Sequence, residues 1–179
     1  PTLLLMGGGL GLGGMDRTLA ALEEVEQRLS ILVVAARNAA LEAHARSAAC
    51  SSRHVIRVFS YTDQVSALMR AADLLITKPG GLTISEAFAA GLPLLLHDPI
   101  PGPETENAIY ATRRGAAVWL HPGERMAPAV EEILAHRIPE MRRAARDCAC
   151  EDAARHVADT LTGMLTRKRG QMHGTEKNT

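Results

Sequence analysis

A glycine turn followed by a threonine and a glutamate is the part of this sequence best suited to binding a ligand. Gly80 and Gly81 stand between a short apolar run, residues 74–76, and a helical pattern over residues 82–90 that stops at Gly91. The run predicts a buried strand, and the glycines predict a tight turn with positive backbone angles. Because the first turn of a helix has unpaired N–H groups and a partial positive charge, this junction predicts a cradle for a nucleotide diphosphate.

Thr83 and Glu86 are placed on the same side of this predicted helix. A carboxylate about one turn from a phosphate site suits the two hydroxyls of a ribose, and Ile84, Ala87 and Phe88 form the opposite, core-facing side. A structural interpretation stays open. Strand–glycine–helix junctions are also plain tight connections in α/β proteins, and a glutamate near a helix start also complements the helix dipole.

Composition limits the class of protein. The chain has 179 residues, 46% of them hydrophobic and only 3% aromatic, which favours a core of Leu, Val, Ile and Ala in a parallel sheet covered by helices. A formal net charge of zero gives no indication of nucleic-acid binding. The sequence shows no signal peptide and no apolar run long enough for a membrane span. Three cysteines without metal-ligand spacing indicate reduced, packed thiols in a cytosolic protein.

Hydrophobic periodicity predicts an α/β fold: a Rossmann-like six-stranded parallel sheet with helices on both faces. The predicted strands are residues 2–6, the run from residue 31, 54–59, 74–76, 94–97 and 116–120. The predicted helices are 15–29, 39–49, 65–72, 82–90, one ending near 114, 124–135, 139–146 and 151–166. This assigns residues 1–166 to one nucleotide-sugar-binding domain and leaves 167–179 as a disordered polar tail. The start on a strand, without an initiating Met, suggests that an N-terminal domain is absent from this chain.

Ligands of parallel sheets collect at the carboxyl ends of the strands, and five segments are predicted to meet there. They are the glycine loop 7–14 with Gly8, Gly9 and Gly11, the pair Arg37 and Asn38, the turn with Tyr61, Thr62 and Gln64, the turn 78–83, and the loop 99–107 with Glu104 and Asn107. A base, Arg37, stands where dinucleotide sites place an acid after the second strand, which argues against NAD.

Several of these residues have a second interpretation. The turn at residues 61–64 could hold a base through backbone groups, or Thr62 and Asp63 could only cap the next helix. Glu104, Glu106 and Asn107 could bind sugar hydroxyls or complement a helix dipole. His97 is expected to be packed or water-facing rather than catalytic, and the basic cluster 167–169 to be a solvated helix end rather than a lipid contact.

Four motifs in order resemble a known family. L-L-M-G-G-G-x-G-x-G, R-N, T-K-P-G-G-L-T-I-S-E-A and P-I-P-G-x-E-x-x-N are similar to the C-terminal half of glycosyltransferase family 28. Within that family the likeness is to the diacylglycerol sugar transferases, the monogalactosyldiacylglycerol synthases and processive diacylglycerol glucosyltransferases. The likeness to the lipid II N-acetylglucosaminyltransferase is more distant.

The resemblance implies the donor-binding half of a GT-B enzyme that transfers a hexose from a UDP-hexose, with inversion, to a lipid acceptor such as diacylglycerol. It implies that the missing N-terminal domain holds the acceptor, the catalytic base and the contact with the cytoplasmic face of the membrane, so the chain alone is expected to be inactive. The residue roles that it implies are diphosphate binding by Gly80, Gly81, Leu82 and Thr83, ribose binding by Glu86, base binding by Tyr61, Thr62, Gln64, Arg37 and Asn38, sugar binding by Glu104 and Asn107, and a cleft loop at Gly8, Gly9 and Gly11.

The chain departs from the family pattern twice, at Leu10 and Pro103, where the lipid glycosyltransferases usually have Glu and Gln. Both positions are on the sugar or acceptor side, so the identity of the hexose stays open. No metal or other cofactor is expected, because no carboxylate pair for Mn²⁺ or Mg²⁺ is evident. The alternatives are a UDP-N-acetylglucosamine-dependent transferase or epimerase, a non-catalytic nucleotide-binding module, and a purely structural α/β domain.

Overall fold

A computed structural model describes residues 1–7, 14–150 and 152–174, with side chains to residue 165. The chain forms two compact units, Pro1–Ala149 and Cys150–Thr179. The division lies ahead of the domain boundary expected at residue 166.

The first unit is built on a sheet of six parallel strands, in the order β3-β2-β1-β4-β5-β6. This confirms the predicted fold class, since this is the strand order of a Rossmann fold. The strands are β1 (Thr2–Met6), β2 (Ser30–Ala36), β3 (Val55–Ser60), β4 (Leu74–Thr77), β5 (Leu94–Leu96) and β6 (Ala117–Trp119). The order reverses between β1 and β4, and ligands of such sheets bind beside that switch point.

Helices follow the strands in the predicted alternation. They are α1 (Met15–Leu22), α2 (Ala39–Ser51), α3 (Val65–Ala71), α4 (Gly81–Ala89), α5 (Pro103–Arg113), α6 (Met126–Glu132) and α7 (Ile138–Asp147), with a π-helical turn, Ile133–Arg137, between the last two. The prediction for α1 was too long, because the helix ends at Leu22 while Val25 and Leu29 remain fully buried outside it.

Alternating side chains of the strands build two cores, one on each face of the sheet. Leu3 and Leu5 belong to a cluster with residues of α1, α2 and α6. Leu4 and Met6 belong to a second cluster with residues of α3, α4 and α5. Each fully buried leucine contributes about 1.5–3 kcal/mol, so the sheet is fixed from both faces and its carboxyl edge is a rigid platform. The segments after β1 and β4 therefore lead to helices on opposite faces.

The second unit contains α8 (Ala153–Gly174), which continues beyond the helix end expected at residue 166. Val157, Leu161, Met164 and Leu165 are exposed on it. Within the described part of the chain, every helix is too short or too polar to span a bilayer. Disorder was expected for residues 167–179, but residues 167–174 belong to this helix, and for residues 175–179 the disorder stays a prediction.

Candidate functional site

The start of α4 is open to solvent. Gly80 precedes the helix with extended backbone angles (φ −67°, ψ 133°), and the helix begins at Gly81. Leu82 is 84% exposed and Gly81 is exposed as well, so within the described residues the helix start is accessible to solvent. No described side chain caps the helix either. The N–H groups of the first turn, from Gly81 to Thr83, are therefore available to an anion, as the sequence predicted for a diphosphate.

The backbone conformation of the two glycines differs from the prediction. Neither Gly80 nor Gly81 has the positive φ that the sequence predicted. A Cβ built on Gly80 would meet only the Thr83 hydroxyl, at 3.9 Å. The glycines thus leave space in front of the helix end rather than supplying an unusual backbone angle, and the Thr83 hydroxyl lies at the same place.

Asn107 of α5 fixes this turn from the side. Its Nδ2 donates to the carbonyl of Pro79 at 3.0 Å, and a Cβ on Gly81 would lie 3.5 Å from the same nitrogen. The sequence predicted Asn107 at the donor sugar, and that role stays a prediction. The observed bond adds a second role, since it ties the start of α5 to the proposed diphosphate turn.

Glu86 is exposed and lies in a cleft of about 410 Å³ between α3 and α4. Asp63, Val65 and Ser66, which follow the β3 turn, line the same cleft. Within the described residues, Glu86 has no ion pair that would withdraw its carboxylate. The structure therefore brings the predicted ribose residue into one cleft with Asp63 of the turn 61–64. Tyr61, Thr62 and Gln64, the residues of that turn predicted to hold the base, are not among the residues that line it.

The predicted base-binding residues come from two neighbouring strand ends. The Arg37 guanidinium lies over the Tyr61 ring, 5.0 Å from its centroid, and the Tyr61 side chain is 68% exposed. A flat, exposed ring with a cation over one face offers a surface on which a nucleobase can stack. Gln64 is exposed immediately before α3.

Asn38 and Thr62 are engaged in local turns. Asn38 Oδ1 accepts from the Leu41 N–H at 3.0 Å, which caps α2. Thr62 Oγ1 accepts from the Gln64 N–H at 3.1 Å and so shapes the turn, while no described side chain caps α3. The expectation that Thr62 or Asp63 caps that helix is therefore wrong.

Glu104 is tied to its own loop. Its Oε2 accepts from the Ile100 N–H at 2.7 Å, across a turn in which Gly102 has φ 100°. Only glycine adopts that angle without strain. Pro103 is the first residue of α5, a position where proline fits because its missing N–H would have no helical partner. The hydrogen bond and the proline thereby constrain the loop that leads into α5.

The last predictions concern the glycine loop after β1 and the binding of a metal ion. Gly8, Gly9 and Gly11, predicted to line the cleft, lie outside the described residues, as does Leu10. In the described ranges no group of three or more His, Cys, Asp or Glu side chains is placed to hold a metal ion.

His97, which the sequence did not assign to the site, and Lys78, the first residue of the predicted turn 78–83, lie at the same edge. His97 follows β5 and is 6% exposed, with Nδ1 3.3 Å from Asp98 Oδ2. Burial lowers the pKa of His97, and the charge of Lys78 lowers it further. For His97, the position directly after β5 was the only signal in the sequence.

The strand order, the open helix end after β4 and the acid beside it define a Rossmann-like domain of the kind found in GT-B glycosyltransferases. Known structures agree with that fold. Acinetobacter baumannii MurG matches with a TM-score of 0.79 and 24% identity, over 90% of this chain and 49% of that one. CalG4, the calicheamicin glycosyltransferase, matches with a TM-score of 0.61 and 17% identity, over 93% and 42%.

The chain belongs to glycosyltransferase family 28, because the profile of the Glycosyltransferase family 28 C-terminal domain matches residues 2–160. Curated relatives include the processive diacylglycerol beta-glucosyltransferases of Bacillus cereus (strain B4264), 32% identical over 161 residues, and Bacillus mycoides (strain KBAB4), 31% identical. Each match covers 89% of this chain and 42% of the relative. The chain thus spans less than half the length of these relatives. The family resemblance noted from the four motifs is confirmed.

Proposed function

We propose that this chain is the UDP-sugar-binding domain of an inverting glycosyltransferase that transfers a hexose from a UDP-hexose to a lipid acceptor such as diacylglycerol. The observation that carries the proposal is the open N-terminus of α4 with Glu86 one turn later, in a cleft shared with the segment after β3. These features supply, in order, contacts for a diphosphate, a ribose and a base. The similarity to processive diacylglycerol beta-glucosyltransferases supports the lipid acceptor.

In the proposed reaction, this domain stabilises the leaving diphosphate. In direct displacement at the anomeric carbon, negative charge grows on UDP as the bond to the sugar breaks. Fixed N–H groups of Gly81, Leu82 and Thr83 are oriented before the reaction and lose no reorganisation energy during it. Asn107 holds the preceding turn in place through Pro79. We propose that this arrangement operates without a metal ion.

We further propose that the acceptor site and the general base belong to the part of the full-length relatives that this chain does not span. On this view the chain alone binds UDP without turnover. The full-length protein would act as a peripheral membrane protein at the cytoplasmic face, where a diacylglycerol acceptor is reached. Closure of the two halves would exclude water and protect the donor from hydrolysis.

Titration calorimetry with UDP tests the site. Glu86→Ala should weaken UDP binding by about 1.5–3 kcal/mol, the scale of hydrogen bonds to a charged group. Glu132→Ala, at an exposed glutamate near the end of α6, is the matched control and should bind UDP like the wild type. Unchanged affinity of the Glu86 variant would remove this residue from the site.

A thermal-shift panel tests the ligand class. UDP, UDP-glucose, UDP-galactose and UDP-N-acetylglucosamine should raise the melting temperature, whereas GDP and NAD should not. The largest shift among the four uridine ligands would identify the preferred donor. A purely structural domain would show no shift with any of them.

A further inference from the structure

The exposed apolar residues of α8 form one row along the helix. Val157, Leu161, Met164 and Leu165 are each 56–65% exposed. With 3.6 residues per turn, their spacing keeps them within about 100° of the helix circumference, which is the width of a helix face that is normally buried. We call these four residues the α8 stripe. A contiguous apolar surface of this kind marks a place of contact with a partner.

The side of α8 opposite the stripe is polar. Arg155, Asp159 and Thr162 are exposed there, and the Thr162 hydroxyl donates to the Ala158 carbonyl at 2.8 Å, within the helix itself. A helix with one apolar face and one polar face is suited to a boundary between water and an apolar medium.

Positive charges follow the stripe in the same helix. Residues 167–169 read Arg-Lys-Arg, and α8 continues through them to Gly174. From residue 153 to residue 174 the sequence has four Lys or Arg residues and a single Asp, a formal surplus of three positive charges. The sequence alone favoured a solvated helix end for the cluster 167–169. The exposed stripe just ahead of it favours a partner that is both apolar and anionic.

An anionic lipid bilayer has both properties. Its headgroup region receives apolar side chains at the acyl boundary, and its phosphates attract Lys and Arg. In the part of the chain that the structure describes, no helix is long and apolar enough to cross a bilayer, so α8 would lie along the surface. A second copy of the chain is a poorer partner for the stripe, because pairing two copies of α8 brings their surplus positive charges together.

We propose that α8 lies on the surface of an anionic bilayer, with the α8 stripe at the acyl boundary and residues 167–169 near the lipid phosphates. The inference rests on the proposed function, because a transferase with a lipid acceptor works at a membrane. The family resemblance implied a membrane contact in the N-terminal domain, whereas this contact belongs to the donor-binding chain itself.

Flotation of the full chain with vesicles tests the proposal. The chain should bind vesicles of phosphatidylcholine with phosphatidylglycerol, and bind pure phosphatidylcholine vesicles at least about tenfold more weakly. Leu161→Gln combined with Leu165→Gln should weaken binding to the anionic vesicles about tenfold or more, because two leucines no longer enter the apolar layer. Replacing all three residues 167–169 with Gln should weaken it to a similar extent.

Thr162→Gln is the matched control on the polar face of α8 and should bind anionic vesicles like the wild type. Circular dichroism verifies that each variant keeps the helix content of the wild type. The proposal is overturned if the chain does not bind anionic vesicles, if the double leucine variant binds them like the wild type, or if Thr162→Gln weakens binding equally. A dimer in analytical ultracentrifugation that the double leucine variant converts to a monomer would also overturn it, since a second copy would then cover the stripe.

UDP calorimetry on the same samples separates this inference from the proposed donor site. UDP binding without vesicle binding contradicts only the membrane contact of α8. Vesicle binding that depends on the stripe, without UDP binding, supports that contact and contradicts the donor site.

Discussion

At the scale of single residues, His97 shows how the end of a strand controls a titratable group. Burial lowers its pKa first of all, and the nearby Lys78 and Arg17 charges act in the same direction. The Asp98 carboxylate acts in the opposite direction but does not prevent the net decrease. The folded protein therefore keeps this imidazole neutral at pH values where the unfolded chain already binds a proton.

The sign of the resulting pH dependence follows from linkage. Below about pH 6.5 the unfolded state binds more protons at His97 than the native state, so the free energy of unfolding decreases as the pH decreases. We expect His97→Gln to lose less stability than the wild type between about pH 7.5 and about pH 5. Urea denaturation at the two pH values measures this. His136→Gln, at an exposed histidine, should lose as much stability between the two pH values as the wild type does. An equal loss of stability in His97→Gln would contradict the prediction.

Residue roles were only partly predictable from the sequence. The types of Thr83 and Glu86 and their spacing on one helix were sufficient to place them beside an open helix end. Asn107 was different, because its bond to Pro79 joins positions 28 residues apart and depends on how α5 packs. Arg17 and His97 carried no motif, since the cavity that both residues line exists only once α1, β5 and β6 are assembled.

At the scale of elements, the bond from Asn107 makes α5 a support for the start of α4. We expect Asn107→Ala to lower the free energy of unfolding by about 0.5–1.5 kcal/mol, the usual contribution of one hydrogen bond. We also expect weaker UDP binding, because the turn at Pro79 would no longer be held in one position.

Urea denaturation and UDP calorimetry of the same variant measure both effects. Glu106 lies one residue away in the first turn of α5 and is exposed. Glu106→Ala removes only one surface charge, so it should change neither the free energy of unfolding nor the affinity for UDP. If Asn107→Ala destabilised the fold but bound UDP normally, the role of the bond in positioning the turn would be disproved.

Element types were predictable wherever one local pattern dominated. Strands such as β1 and β4 were recognised because they are short, apolar and bounded by glycine or polar residues, and α4 ends where Gly91 takes φ 62°. The early end of α1 was not predictable, because Val25 and Leu29 keep helical spacing yet pack from an irregular segment. The π-helical turn after α6 has no recognisable sequence signal.

At the scale of the whole molecule, both core clusters consist of residues from the first unit. We therefore expect a chain ending at Ala149 to fold cooperatively and to bind UDP with the affinity of the full chain. A chain ending at Arg137 should be strongly destabilised, because it lacks α7 and the buried Met141 and Ala145. Circular dichroism with urea and UDP calorimetry compare the three chains, and lost cooperativity in the 1–149 chain would show that the second unit is needed.

The switch point between β1 and β4 has one more consequence. Neighbouring strands there send their helix starts to opposite sides of a stiff sheet, so α1 and α4 begin at one edge without sharing a core cluster. Selection, or a protein engineer, can therefore change the exposed residues at the start of α4 without disturbing the packing of α1, and the reverse change is equally free.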